Sequence, residues 1–581
     1  MLVIYEIGFL LGGVSLLIFF LGQLGFISTA SIFGVTILAS AVLILLSIRW
    51  LIKEPIDMSG TRRWFILLLS LFILVVLPII LLPPTSRDGL IVHLAVPKLY
   101  LESGRIIELP FMGFSYAPMN IELLYLIPMA LGSDIIPKLI HLFFALFTGL
   151  VIYFYLAEGH GRGYATIGLF LYITTPIVIL SSTTAYIDLG LTFYSTLALV
   201  ALLKWRETDY ADRWFLYSAI SMGLALGTKY SALVVLFILG ISVPYIYSRA
   251  TNNQVRALGL GIKYVSIALA VFLPWMVKNY LLKGNPIYPI ANGLFAANAS
   301  FEGGFHISAL PPLLMRNLLY GEDLWYILLL PFRIFWEGQD GSHQYFDGQL
   351  NPLYLFFIPF AFIKSKDRDV RYMVFFSFVF FYVAFFTVDI VTRYLLPILP
   401  VLVIFMVFGF SNLLKVKWFK NIAVLLMAGL FIFNGLYLVD LYRRYRPLQY
   451  LLASEGRDQY LSRILPDYTA ISFANSTLPE NARVMLIFAG ERGYYWEREY
   501  YYGSRGAQDI IRIIKGSSNE VELKERFRGL GMTHLFIRDP LFIKFCKDNL
   551  IIEKLEMLNI FYKTQLKVLY SRNGYSLYEI L

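Results

Sequence analysis

The chain has 581 residues, 58% of them hydrophobic and only 15% charged, with a mean hydropathy of +0.66. A soluble globular domain carries about 45–50% apolar and about 25% charged residues, so an ordinary soluble fold is excluded. The net charge of +10 does not call for a nucleic-acid partner, because Lys and Arg cluster in short loops between apolar runs, as at Arg49, Lys53, Arg62 and Arg63 and again at Lys415, Lys417 and Lys420.

In chain order, apolar runs lie near residues 2–22, 27–51, 64–82, 136–157, 164–181, 185–204, 214–228, 231–248, 262–282, 350–364, 371–388, 394–412 and 418–440. They are continuous rather than alternating, and many reach the roughly 18 residues needed to cross a hydrocarbon core as helix. The sequence therefore predicts a mainly α, polytopic transmembrane bundle of about thirteen spans. The first run lacks a basic leader and a second follows at once, which reads as a retained helix rather than a cleaved signal. Residues 119–131 form a short run ended by Pro128 and Gly132, expected to be re-entrant or interfacial. Residues 324–336 sit inside a long loop and fit neither class. The pair 214–228 and 231–248 reads either as two tilted helices or as one broken helix.

The basic loops 49–63, 158–163, 204–213, 249–263, 364–371 and 413–420 are expected to face the cytoplasm, with the N-terminus. Residues 83–135, 283–349 and everything after about 441 then face outward, as do the turns near 182–185, 229 and 389–393. After 441 charges become dense. Ala482–Phe488 reads as a buried strand and 533–537 as a second. Residues 507–515 and 519–529 look helical, and 565–570 with 575–580 suggest a hairpin around Asn573-Gly574. The expected plan is two N-terminal helices in 1–63, a membrane domain in 64–440, and a small extracytoplasmic α/β domain in 441–581.

Several polar residues collect on the expected outer side. Asp88 follows a span directly, in Pro83-Pro84-Thr85-Ser86-Arg87-Asp88-Gly89. A carboxylate at that lip is reached by water from one side and by a lipid-borne substrate from the other; the bland reading is a helix N-cap. His93 and Lys98 follow in the same presumed helix, 89–101, where Lys98 also reads as a snorkelling lysine. Tyr186 and Asp188 lie near the outer end of a span, and a carboxylate inside an apolar run costs about 2.5–3.5 kcal/mol on insertion scales. Lys229, in Gly227-Thr228-Lys229-Tyr230, is an outward cation against the charge bias, which an anionic ligand would explain. Arg393 precedes Tyr394 and Pro397; its fork suits phosphate, and a salt bridge with Asp389 is the plain alternative. Tyr288 sits in Gly284-Asn285-Pro286-Ile287-Tyr288-Pro289, a proline-fixed turn opening the long loop 283–349, and is placed to line a cleft. The lone Cys546 excludes an internal disulfide. No Cys/His cluster has zinc-site spacing, and no nucleophile elbow, phosphate loop or dinucleotide glycine set occurs in a credible context.

At these residues the chain resembles the GT-C superfamily of polytopic glycosyltransferases, in particular the group of protein O-mannosyltransferases and the aminoarabinose transferase of lipid A. The likeness covers roughly residues 64–440 and the external C-terminal domain. It rests on the order of a span, Asp88, Gly104 after a short helix, a Pro118-led segment, Tyr186 and Asp188, Gly227-Thr228-Lys229, and Arg393-Tyr394 ahead of Pro397 and Pro400. The resemblance implies that Asp88 is the catalytic aspartate of the first external loop. Two departures stand out: Gly89 occupies the place of a frequent second acid, and Tyr116-Ala117 that of an acidic–basic pair. A divalent metal is left open, and no other cofactor is implied. The expected activity is sugar transfer, with inversion, from a polyprenyl-phosphate donor to an extracytoplasmic acceptor at the plasma membrane. The rivals are a transporter or flippase of lipid-linked glycans and a non-catalytic scaffold.

Overall fold

The computed structural model describes residues 1–53, 60–295, 312–363, 368–385, 390–503 and 507–581. All thirteen expected apolar runs are helical. Among the described residues, eight helices are long and apolar enough to cross a membrane: Leu2–Gln23, Thr29–Arg49, Arg63–Ile80, Ile136–His160, Ala232–Thr251, Gln254–Lys283, Thr392–Leu414 and Lys420–Tyr445. A ninth is the pair Arg162–Thr174 and Pro176–Ser182, bent by 63°. The bend has a local cause, since Pro176 has no N–H to carry the ladder past Thr175. Four runs fold as helix without being such rods. Asp188–Glu207 is buried along nearly its whole length by other helices. Asp212–Leu226 is short, and is a separate helix from Ala232–Thr251 rather than half of one broken helix. The run at 350–364 is Tyr354–Phe357 continued as a 3₁₀ turn to Phe362, and that at 371–388 is Arg368–Phe380 continued as a π turn to Phe385.

The segment 119–131 is the helix Asn120–Ala130. At about 1.5 Å per residue it is roughly half the length of a span, and it is buried inside the bundle rather than lying on it. The stretch after Asp88 is also not one plain helix. Gly89–His93 is a π turn, with the Leu94 N–H donating to the Gly89 carbonyl at 2.9 Å, and the α-helix proper is Ala95–Ser103.

The long loop is built inside out. Arg316 donates to both oxygens of Glu322 at 2.6 and 2.7 Å, and Arg333 donates to Glu322 at 3.1 Å and to Glu337 at 2.8 Å. All three of Arg316, Glu322 and Arg333 are buried. Leu318, Leu324, Trp325, Leu328, Phe332 and Trp336 point outward, each half or more exposed. A buried ion cluster packed on Phe346, beneath an apolar, Trp-bearing exterior, suits the headgroup layer of a bilayer better than water. Within it, 324–336 holds two short helices, Leu324–Leu328 and Leu330–Arg333.

The C-terminal part holds one five-stranded sheet, with β1 (Arg483–Ile487), β2 (Glu499–Tyr501), β3 (His534–Arg538), β4 (Leu566–Arg572) and β5 (Tyr575–Ile580) in the order β2-β1-β3-β5-β4. β2, β1 and β3 are parallel; β5 is antiparallel to β3 and to β4. The Asn573-Gly574 turn has φ of 55° and 76°, the left-handed pair a tight hairpin needs. Edge strand β2 and the helices Asp539–Asn549 and Ile552–Thr564 carry no sequence expectation: β2 is three residues long, and the helices are weakly patterned.

This sheet domain sits on the Asp88 loop. The Tyr494 N–H donates to the Leu90 carbonyl at 3.1 Å, and the Tyr495 hydroxyl to the Pro84 carbonyl at 2.7 Å. Lys98 donates to the carbonyls of Tyr494 and Trp496 at 3.1 and 2.6 Å. Lys98 therefore staples two parts of the chain together. Lys98→Met, which keeps the apolar stem and leaves two carbonyls without a donor, is expected to cost about 1–3 kcal/mol. A melting curve in detergent reads this as a lower transition temperature.

Candidate functional site

Asp88, His93, Tyr186, Asp188, Lys229 and Arg393 converge at the end of the bundle beneath the sheet domain. Asp88 caps the π turn and is one-third exposed; its Oδ2 lies 2.5 Å from Nη2 of Arg393. Arg393 enters from the 3₁₀ turn Thr392–Ile398, which is fixed by Thr392: its N–H donates to the Phe346 carbonyl at 2.7 Å and its hydroxyl to the Gly348 carbonyl at 3.0 Å. The long loop thus holds the arginine in place. Arg393 lies between two rings, 4.9 Å from the centre of Tyr186 and 5.4 Å from that of Tyr394. Its Nε is buried without a hydrogen-bond partner among the described residues. Asp389, the alternative partner, lies outside the described residues.

Asp188 and Lys229 form a second pair at 2.7 Å, with Asp188 fully buried. The Lys229 ammonium also lies 4.2 Å from the centre of the Tyr394 ring, so one aromatic ring touches both cations. Lys229 reaches this place because the chain turns tightly at Gly227, where a Cβ would lie 2.1 Å from the amide nitrogen of Asn120.

His93 is not a loose interfacial histidine. Its Nδ1 is 2.8 Å from Oε1 of Glu122, which is buried on the helix Asn120–Ala130. Its ring meets Tyr186 edge-on at 5.8 Å. Glu122 was missed by the sequence reading, although the rule that drew attention to Asp188, a carboxylate inside an apolar run, applies to it equally. His141 was missed as well. Its Nδ1 faces the carbonyls of Ser181 and Thr184 at 2.7 and 3.1 Å, and its Nε2 accepts from the Leu189 N–H at 3.0 Å. It fixes the turn that carries Tyr186 and Asp188.

Two expected residues lie elsewhere. Lys98 is engaged by the sheet domain, as above. Tyr288 is buried against Tyr116, ring centres 5.0 Å apart, and its carbonyl accepts from the Tyr230 hydroxyl at 2.9 Å. It belongs to a neighbouring cluster in which Glu108 is bonded by Tyr116 at 2.5 Å and Lys283 at 2.9 Å. At Gly89 a Cβ would lie 2.5 Å from the Ser86 hydroxyl oxygen, so a second acid there requires the Ser86 side chain to turn away. Among the described residues no group of three or more His, Cys, Asp or Glu is arranged to hold a metal ion.

Burial pushes the Asp88 carboxyl up, but its cationic neighbours, Arg393 first among them and Lys229 further off, outweigh it and hold it below the usual carboxylate range. The site is thus a set of paired charges in a poorly hydrated pocket. A group with a lowered folded-state pKa contributes stability above its ordinary value, here 3.8, and loses it as pH falls through the lowered value. Melting temperature should therefore fall below about pH 4, and less steeply in Asp88→Asn. Asp188→Asn leaves a buried ammonium without its anion, and should cost about 3–5 kcal/mol. Adding Lys229→Met should recover most of that loss, read as folded yield and melting temperature.

Comparison with known proteins places this geometry. Residues 136–283 match the family described as Dolichyl-phosphate-mannose-protein mannosyltransferase. No curated protein matches in sequence. ArnT from Cupriavidus metallidurans in the apo state superposes with a TM-score of 0.55 at 12% identity, covering 90% of this chain and 98% of that one. The same protein bound to undecaprenyl phosphate gives a TM-score of 0.52 over the same shares, again at 12% identity. The chain has the GT-C glycosyltransferase fold, a helical membrane bundle with a small C-terminal sheet domain, and resembles the group of the protein O-mannosyltransferases and ArnT.

Proposed function

We propose that this protein transfers a sugar, with inversion, from a polyprenyl-phosphate donor to an acceptor on the extracytoplasmic side of the plasma membrane. The observation that carries the proposal is the pairing of Asp88 with Arg393 at 2.5 Å beside the Lys229–Asp188 pair at 2.7 Å. A lipid-linked phosphate has its tail in the bilayer and its charge at the bilayer surface. Arg393 has an Nε donor unused among the described residues, and Lys229 shares the Tyr394 ring with it. A phosphodiester that approaches this face competes with Asp88 for the guanidinium, which suits bidentate binding of phosphate oxygens.

The two roles follow from that exchange. Arg393 and Lys229 stabilise the charge that grows on the departing phosphate, which is already anionic and needs no acid. Asp88, released from Arg393, receives the hydrogen bond of the acceptor hydroxyl and begins its deprotonation. Tyr186 stacks against the guanidinium and Asp188 keeps Lys229 charged and in place. Undecaprenyl phosphate, which the solved ArnT structure binds, is the natural first carrier to test. The positions of the candidate groups at helix ends, rather than at mid-membrane, favour transfer over the transport of an intact lipid-linked glycan.

The test offers purified protein radiolabelled undecaprenyl-phosphate monosaccharides, with envelope fractions of the source cell as acceptor. Asp88→Asn is expected to lower transfer about 10²- to 10⁴-fold with normal folding. Arg393→Lys, which keeps the charge but loses the fork, should raise the donor KM. Undiminished transfer by Asp88→Asn removes Asp88 from the chemistry, and flux of intact donor without bond cleavage replaces the enzyme reading with a transporter.

A further inference from the structure

Asp88 poses a chemical difficulty. An aspartate carboxylate, whose ordinary value of 3.8 the resting pocket lowers further, is a weak base even once a phosphate has drawn Arg393 away, and is poorly suited to keep a proton taken from a hydroxyl. The structure offers a second proton-handling group on the same turn. In an α-helix, positions five apart are separated by about 140° around the axis. In a π turn, with its i to i+5 hydrogen bonds, they are only about 50° apart. Gly89–His93 is such a turn, with Asp88 as its cap. A turn with this extra residue sets Asp88 and His93 closer to one side of its axis than an α-helix would. π bulges of this kind are frequent at functional sites.

The far nitrogen of His93 is anchored. Glu122 Oε1 lies 2.8 Å from Nδ1, and in the tautomer that donates to it Nε2 is the acceptor. No hydrogen-bond partner of Nε2 occurs among the described residues, while the His93 side chain retains 13% exposure. The other oxygen of Glu122 is buried with no hydrogen-bond partner. A buried carboxylate with one satisfied oxygen is costly in the resting protein. It becomes well compensated when a positive charge forms on the ring beside it. This is the arrangement of a carboxylate that orients an imidazole and stabilises the imidazolium.

We propose that His93, oriented by Glu122, is the final proton acceptor of the transfer reaction, with Asp88 aligning the acceptor hydroxyl and passing its proton on. The inference rests on the glycosyltransferase reading above. In the step, the acceptor O–H bond breaks and its electron pair forms the bond to the anomeric carbon. The bond from that carbon to the phosphate oxygen breaks, and its pair leaves with the polyprenyl phosphate. The proton comes to rest on Nε2, and the imidazolium so formed is balanced by Glu122 at Nδ1. His93 is thereby a catalytic residue and Glu122 a positioning residue.

The test uses the full-length protein and the same radiolabelled undecaprenyl-phosphate sugars. His93→Ala is expected to lower kcat by about 10²-fold or more, with the donor KM within about twofold of wild type. Added imidazole should restore part of that kcat. Glu122→Gln keeps a hydrogen-bond acceptor for Nδ1 but removes the charge. It should lower kcat about 10- to 100-fold, again with little change in KM. In the double variant the two losses should not multiply. Wild-type kcat in either single variant overturns the inference, as does a loss in His93→Ala that imidazole leaves untouched. A loss confined to KM or to folded yield, with kcat kept, assigns the pair to architecture and overturns it too. Failure of the wild type with every donor is a different outcome, and removes the transferase reading itself.

Discussion

Charge pairing in a low-dielectric pocket is the constraint around which this protein is arranged. Two anions, Asp88 and Asp188, meet two cations, Arg393 and Lys229, at distances of 2.5 and 2.7 Å. None of the four could be left alone at this depth, because an uncompensated buried ion costs several kcal/mol. The helices answer that requirement one by one. The tight turn at Gly227 delivers Lys229, the Thr392 hydrogen bonds deliver Arg393, and His141 ties the turn that delivers Asp188. The Tyr394 ring touches both cations and the Tyr186 ring covers Arg393, which limits the water that would otherwise screen them.

On the proposed function, mutual neutralisation would also give the site its selectivity. A neutral ligand would gain little by entering, since it offers the cations nothing better than their present partners. An anion with two or more oxygens would replace a carboxylate on the guanidinium, and so change what Asp88 is free to do. Binding and activation would in this way be one event. The arrangement differs from a fixed anion hole, in which donors wait unpaired.

The bundle was legible from composition and run length, because lipid permits only helices or closed barrels and the runs do not alternate. The sheet domain was legible where strands are buried, as at 483–487 and 534–538, and not at the three-residue edge strand 499–501. Six of the eight candidate residues meet in one place, and their signal was the cost of charge near an apolar run. Lys98 and Tyr288 carried similar local signals but are claimed by tertiary partners, the carbonyls of Tyr494 and Trp496 and the Tyr116 ring. Such long-range partners leave no trace in local pattern. Glu122 was legible in principle and overlooked because its short segment was weighed only as a topological problem. The π turn was not legible at all, since Gly-Leu-Ile-Val-His has no feature that favours five residues in a turn over four.

The seat of the sheet domain has a mechanical consequence. Leu90 and Pro84, on either side of Asp88, each surrender a carbonyl to the segment Tyr494–Tyr495, and Lys98 grips the same segment from below. The ribbon that bears the aspartate is therefore clamped at both ends by residues some four hundred positions away. Any tilt of the C-terminal lobe, for instance when it grasps a bulky macromolecule, is transmitted to that ribbon as a shift in where the carboxylate points. The lobe is thus a lever on the reactive group as well as its roof.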